Sequence, residues 1–218
     1  LGGGTGSGSA NFVVDTGSTG VVVGSDTWAP PPGTPNYGTG TMTYDSDGKV
    51  FTGTWYDAQL LISSPQAPGQ SPTAEANLKV LVVQANGCNT LTPGAACGLA
   101  MMGVGFAREK AGDTNGPNGT QLMAPPNNAL LNITKLNGVG VTLSTPDQPG
   151  HAGTTGNTTA GYMISPGGLT IGLTATNTQG FGTAPLTWNN QTAAGASGWA
   201  DWNPAPLSLT VNGVTGPG

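Results

Sequence analysis

Residues 11–20, "NFVVDTGSTG", place an aspartate directly behind two valines and directly ahead of a Thr-Gly-Ser turn. A carboxylate is costly to take out of water, so its position at the end of an apolar run calls for a reason. An apolar strand can hold Asp15 at the floor of a cleft, while Gly17 lets the backbone turn tightly enough for amide groups and the Ser18 hydroxyl to face the carboxylate. Asp15 is therefore the candidate catalytic residue, with Thr16, Gly17 and Ser18 as its support. Taken alone, Asp-Thr-Gly is equally an ordinary Asp-initiated turn between two strands, and the surrounding chain has to decide.

The 218 residues are long enough to bury a sizeable core. Glycine (38) and proline (18) make up about a quarter of them, a level that approaches low-complexity composition. Short apolar runs nevertheless recur between the turn signals, at Phe12–Val14, Val21–Val23, Leu60–Ile62, Val80–Val83 and Leu169–Leu173, and this spacing predicts a mainly β fold with many tight turns. Charged residues are only 7% of the chain and the formal net charge is −5. With no basic patch to neutralise phosphates, nucleic acid is excluded as a partner. A surface built from Thr, Asn, Ser and Gln suits a secreted or cell-wall protein.

Cys88 and Cys97 flank "NTLTPGAA" and are read as a disulfide, the alternative being two free thiols. A structural zinc site needs about four ligands, and the single histidine, His151, lies in the Gly-rich "PGHAGTTG". No metal site and no cofactor is expected. No run of about 18 apolar residues exists to span a membrane as a helix. The chain shows neither an initiating Met nor a signal peptide, which reads as an excised domain or processed segment.

Residues 1–10 read as a flexible linker or a Gly-rich hairpin. The clearest hairpin is "TMTYDSDGKVFTGTWYDAQLLI", residues 41–62, whose arms flank Asp45-Ser46-Asp47-Gly48-Lys49 with its tight-turn Asp-Gly pair. "LKVLVVQ" (78–84) reads as a strand and "CGLAMMGVGF" (97–106) as a buried, glycine-punctuated segment. In "NNALLNITKL", residues 127–136, Leu130, Leu131, Ile133 and Leu136 recur at roughly helical spacing, which predicts one short helix. From "YMISPGGLTIGL" onward the pattern returns to strands and turns.

In this order the segments resemble the pepsin-like aspartic proteases. "GSANFVVDTGSTGVVV" is similar to their first active-site strand and turn, and "TYDSDGKVFTGTWYDAQLLI" to the flap hairpin that closes over substrate. "GLAMMGVGF" resembles their "DGILGLAY" strand, while "GLTIGL" and "TAPLTW" resemble the segments leading into a second lobe. The resemblance implies a pepsin-like lobe of packed, barrel-like sheets with a flap and one short helix. It implies peptide-bond hydrolysis by a water that Asp15 activates, with a peptide or protein as substrate. Residues 1–165 would form the N-terminal lobe, and 166–218 the inter-lobe segment and the start of the C-terminal lobe.

Two tyrosines compete for the flap. "NYGTGTMT" would make it Tyr37, but the family's returning arm runs about eleven residues from that tyrosine to a Tyr-Asp pair. Tyr44 lies twelve residues before Tyr56-Asp57, and only this register puts Asp-Gly at a hairpin tip. The flap reading is thus Tyr44, Asp45, Ser46, Asp47 and Gly48, with Tyr37 as the alternative. Two family features are missing. Val22 stands where a tryptophan commonly anchors the flap tyrosine, leaving Trp28 or Trp55 to do so, and Leu99 replaces the acid of "DGILGLAY".

The larger departure is in the count of carboxylates. Aspartic protease chemistry needs two of them sharing one proton, and no second apolar-Asp-Ser/Thr-Gly occurs in the 218 residues. "WNPAPLSLTVNG" resembles the segment shortly before the second motif. The expectation is therefore an incomplete, inactive half whose partner is a missing C-terminal lobe carrying the second Asp. A symmetric homodimer supplying Asp15 twice would need only about half this chain length per subunit. The alternative of another class is a non-catalytic pepsin-like surface or antigen-binding domain. The Gly-, Ala-, Asn- and Thr-rich loops also resemble the mycobacterial PE_PGRS proteins, which implies cell-surface localisation. On that reading the Asn-X-Thr sequons at Asn118, Asn132, Asn157 and Asn190 are chance matches in a Thr-rich chain.

Overall fold

The computed structural model describes residues 10–16, 18–44, 49–63, 72–84, 98–104, 114–115, 128–141, 159–182, 188–189, 201–202, 208–212 and 214–217. Strands dominate them, as the apolar runs predict. β1 (Val13–Asp15), β2 (Thr19–Gly24), β3 (Asn36–Tyr44), β4 (Lys49–Ile62), β5 (Ala74–Val83), β6 (Ala100–Val104) and β7 (Thr114–Asn115) lie side by side in the order β1-β6-β2-β5-β4-β3-β7. β8 (Ile133–Leu136) pairs with β5 and with β9 (Val139–Gly140), completing a nine-stranded sheet. Three two-stranded ladders follow: β10 (Thr159–Ser165) with β11 (Gly168–Leu173), β12 (Trp188–Asn189) with β13 (Asp201–Trp202), and β14 (Ser208–Val211) with β15 (Val214–Pro217). The expected boundary between residues 165 and 166 falls at the turn joining β10 to β11.

The uninterrupted valines of β2 and β5 are explained by burial on both faces. Side chains alternate across a strand, so Val21, Val23, Val80 and Val82 enter one core while Val22, Leu81 and Val83 enter another on the opposite face. The first core also takes Met102, Val104, Leu60 and Ile133, with Tyr162, Leu169 and Ile171 of the β10–β11 hairpin packed against it. The second is closed by Met42, Phe51 and Trp55 from the β3–β4 hairpin. Stretches covered on both sides need no polar alternation, and Val21–Val23 and Val80–Val83 show none, whereas the first half of β5, Ala74–Lys79, alternates.

The β3–β4 hairpin runs antiparallel with Tyr44 opposite Lys49, so its connection is residues 45–48, the Asp-Gly tip expected from the sequence. Those four residues, like Gly17, Cys88, Cys97 and His151, lie outside the described set.

The helix expected over residues 127–136 is not formed. Ala129–Leu131 make a single 3-10 turn, and Ile133–Leu136 are a strand. Two competing signals account for this. Asn137 and Gly138 both adopt left-handed backbone, φ 50° and 79°, folding Leu136 back onto Val139 in a hairpin. The N-terminal part of β5, whose edge β2 leaves unpaired beyond Val80, also accepts β8 as a neighbour, Ala74 opposite Leu136 and Ala76 opposite Ile133. Leu130 and Ile133 are buried as a helical face would bury them, but through a turn followed by a strand.

Candidate functional site

Asp15 ends β1 and Ser18 follows one turn later; both are half-buried, and Thr16 is exposed. The Ser18 hydroxyl donates to Asp15 Oδ2 at 2.6 Å. The turn is thus closed on its own carboxylate.

What lies beneath the turn comes from elsewhere in the chain. β6 inserts between β1 and β2, although those two are consecutive, running parallel to β1 and antiparallel to β2. Gly103 stands opposite Asp15 on one side and Gly20 on the other. A Cβ at Gly103 would lie 2.6 Å from the Ser18 carbonyl carbon and 2.7 Å from both its carbonyl oxygen and its hydroxyl. Only glycine allows Ser18 to fold over β6 this closely. A lone glycine inside an apolar strand carries that signal in the sequence, and it is the one that could have marked Gly103 in advance.

The entry and exit of β6 are also fixed. Asp26 Oδ2 accepts from the Gly98 amide at 3.0 Å, and the Leu99 carbonyl accepts from the Gly24 amide at 2.8 Å. At the far end, the Val104 carbonyl accepts from Tyr162 Oη at 2.6 Å and from Asn128 Nδ2 at 2.8 Å. Asn128 is fully buried, and its Oδ1 accepts from the Leu130 amide at 2.9 Å. Tyr162 carries no local signal in the sequence; its role depends on where β10 packs.

The two candidate flap tyrosines sit at opposite ends of β3. Tyr44 is beside the hairpin tip, and Tyr37 is seven residues earlier, roughly 24 Å away along the strand. At that base the Tyr37 hydroxyl donates to Asp57 Oδ2, Lys79 Nζ donates to Asp57 Oδ1 at 2.9 Å, and the same ammonium lies 3.2 Å from the Tyr37 ring centroid. Trp55 is fully buried in the core that also holds Met42, Phe51 and Val22, whereas Trp28 lies in the other core.

Partial burial pushes the Asp57 carboxyl up, but hydrogen bonds from Tyr37 and Lys79 and the Lys79 charge outweigh it, leaving it below its ordinary 3.8. Burial likewise pulls Lys79 down, and its bonds to Asp57 and Tyr37 reverse this to a net rise above 10.5. The cluster's contribution is therefore complete between these two ordinary values. It fades as pH falls from about 4 through the lowered Asp57 value, or rises past about 10 through the raised Lys79 value. Because the Asp57 side chain is 63% exposed, the contribution is at most about 1 kcal/mol. Asp57→Asn should cost roughly 0.5–1 kcal/mol in urea unfolding at pH 7 and markedly less at pH 2.5. Equal losses at both pH values would refute the assignment.

Among the described residues no group of three or more His, Cys, Asp or Glu is arranged to hold a metal ion, and no helix is long and apolar enough to cross a membrane. No protein-family model, curated protein or solved structure matches this chain.

Proposed function

We propose that the chain carries one half of an acid-protease site, with Asp15 as the residue that activates or orients the attacking water. The carrying observation is the Asp15–Ser18 bond, held in a turn that packs directly on Gly103 of β6. This is more than a chance Asp-Thr-Gly needs, because the turn is supported by a strand about 85 residues away in the sequence. Two carboxylates sharing a proton are required for the reaction, so the second is supplied by chain outside these 218 residues. The substrate is a peptide laid across Asp15 beneath the β3–β4 hairpin, with Tyr44 as the flap tyrosine, since the Tyr37 hydroxyl is engaged by Asp57. The hairpin base stays clasped at mildly acidic pH because Asp57 titrates below its ordinary value. The low charge and the Thr- and Asn-rich surface fit a secreted or cell-surface setting of the PE_PGRS kind.

The experiment is peptide hydrolysis at acidic pH by the 218-residue chain and by a chain extended to a second apolar-Asp-Ser/Thr-Gly motif. The extended chain should cleave and the shorter one should not. An active 218-residue monomer in sedimentation would overturn the half-site reading.

One observation favours a second reading, a non-catalytic pepsin-like surface or antigen-binding domain. Val22 is buried among Met42, Phe51 and Trp55, at the position where the resemblance calls for a flap-anchoring tryptophan. Pepstatin binding by the extended chain separates the two, because a decayed site would not retain it.

A further inference from the structure

The Val104 carbonyl is the meeting point of three segments that are far apart in sequence. Tyr162 reaches it from 58 residues downstream and Asn128 from 24. Val104 is fully buried at the last described position of β6, and its Cα partner across the ladder is Thr19. Both neighbours of this position adjoin the candidate site: Gly103 precedes Val104 under Ser18, and Thr19 follows Ser18.

We propose that Asn128 and Tyr162 are positioning residues for the Asp15 turn, acting through the Val104 carbonyl to fix the position of β6 beneath Ser18. A strand end is where a ladder would otherwise fray, and two side-chain donors on one carbonyl hold this one. Asn128 is itself held rigidly, its Oδ1 by the Leu130 amide and its own carbonyl by Asn132 Nδ2 at 2.8 Å. Tyr162 is supported by packing of its hairpin against the first core. Burial pushes its hydroxyl above the ordinary 10.0, so it remains a donor through the neutral and acidic range. Gly103 has no side chain to absorb a shift of β6, so any sliding passes directly to Ser18 and to its bond with Asp15.

The inference rests on the reading of Asp15 as a functional carboxylate, but its test does not. Tyr162→Phe keeps the ring and removes one donor to Val104, and Ile164→Val, at an exposed site on the same hairpin, serves as control. In NMR spectra of the folded 218-residue chain, Tyr162→Phe should move the Ser18 and Gly103 amide resonances and the Asp15 carboxyl carbon, and the control should not. A merely structural role would lower the melting temperature while leaving those three resonances in place. Changes confined to residues 104, 128 and 162 would overturn the proposal, whatever the extended chain does to peptides. If that chain is a peptidase, Tyr162→Phe should lower kcat by up to about tenfold at unchanged KM, less than the roughly 10²-fold cost of a 1 Å misplacement. A changed KM with kcat intact would count against positioning.

Discussion

Asparagine in place of Asp15 is expected to lower kcat of the extended chain by about 10²- to 10⁴-fold, the usual cost of losing a positioned acid–base group. The substitution is nearly isosteric. The amide oxygen can still accept from the Ser18 hydroxyl, which now sits 2.6 Å from the carboxylate, so the turn and the β1–β6–β2 arrangement should survive. The melting temperature should accordingly change little, within the few degrees that about 1 kcal/mol produces in a protein of this size. Activity and stability thus separate, and a structural aspartate would show the reverse, a stability loss with activity in proportion. Full retention of acidic peptidase activity by Asp15→Asn would remove Asp15 from the mechanism.

Gly103→Ala should damage both. The added methyl would sit 2.6–2.7 Å from three atoms of Ser18, two of them backbone. β6 cannot retreat, because Gly103 is paired on both sides, to Asp15 and to Gly20. Ser18 must therefore lift. Overpacking of this kind costs about 1–3 kcal/mol, and losing the Ser18–Asp15 hydrogen bond adds roughly 1 more. The melting temperature should fall by about 10 °C. Gly140→Ala is the matched control, since a Cβ there meets nothing within 4 Å, and it should stay within about 0.5 kcal/mol of the parent. If both substitutions behave alike, the close approach at Ser18 has no energetic weight.

Local chemistry made much of the fold legible before any coordinates. The runs Val21–Val23 and Val80–Val83 read as strands, because β-branched residues between turn signals favour extended backbone, and the structure covers them on both faces. The Asp47-Gly48 pair placed the β3–β4 turn to within a residue: Lys49, read as part of the connection, is the first residue of β4, opposite Tyr44. The misreading at 127–136 has an equally local cause. Leu130, Ile133 and Leu136 suit a helix by spacing, yet Asn137-Gly138 directly after them is a stronger hairpin signal, and Val211-Asn212-Gly213-Val214 repeats it in the β14–β15 ladder. In both, the asparagine adopts φ 50°.

The sequence by itself determined that the apolar runs are strands, where the principal hairpin turns, and that Asp15 ends an apolar strand ahead of a Ser-bearing turn, because these depend on side-chain pattern and on glycine within a few residues. Only the tertiary structure decided what stands beneath that turn. Placing β6 between two consecutive strands, with Gly103 under Ser18 and Val104 held by Asn128 and Tyr162, joins positions 24 to about 85 residues apart. Such pairing is set by which edges and core faces remain open once the local elements exist, and no local pattern encodes it.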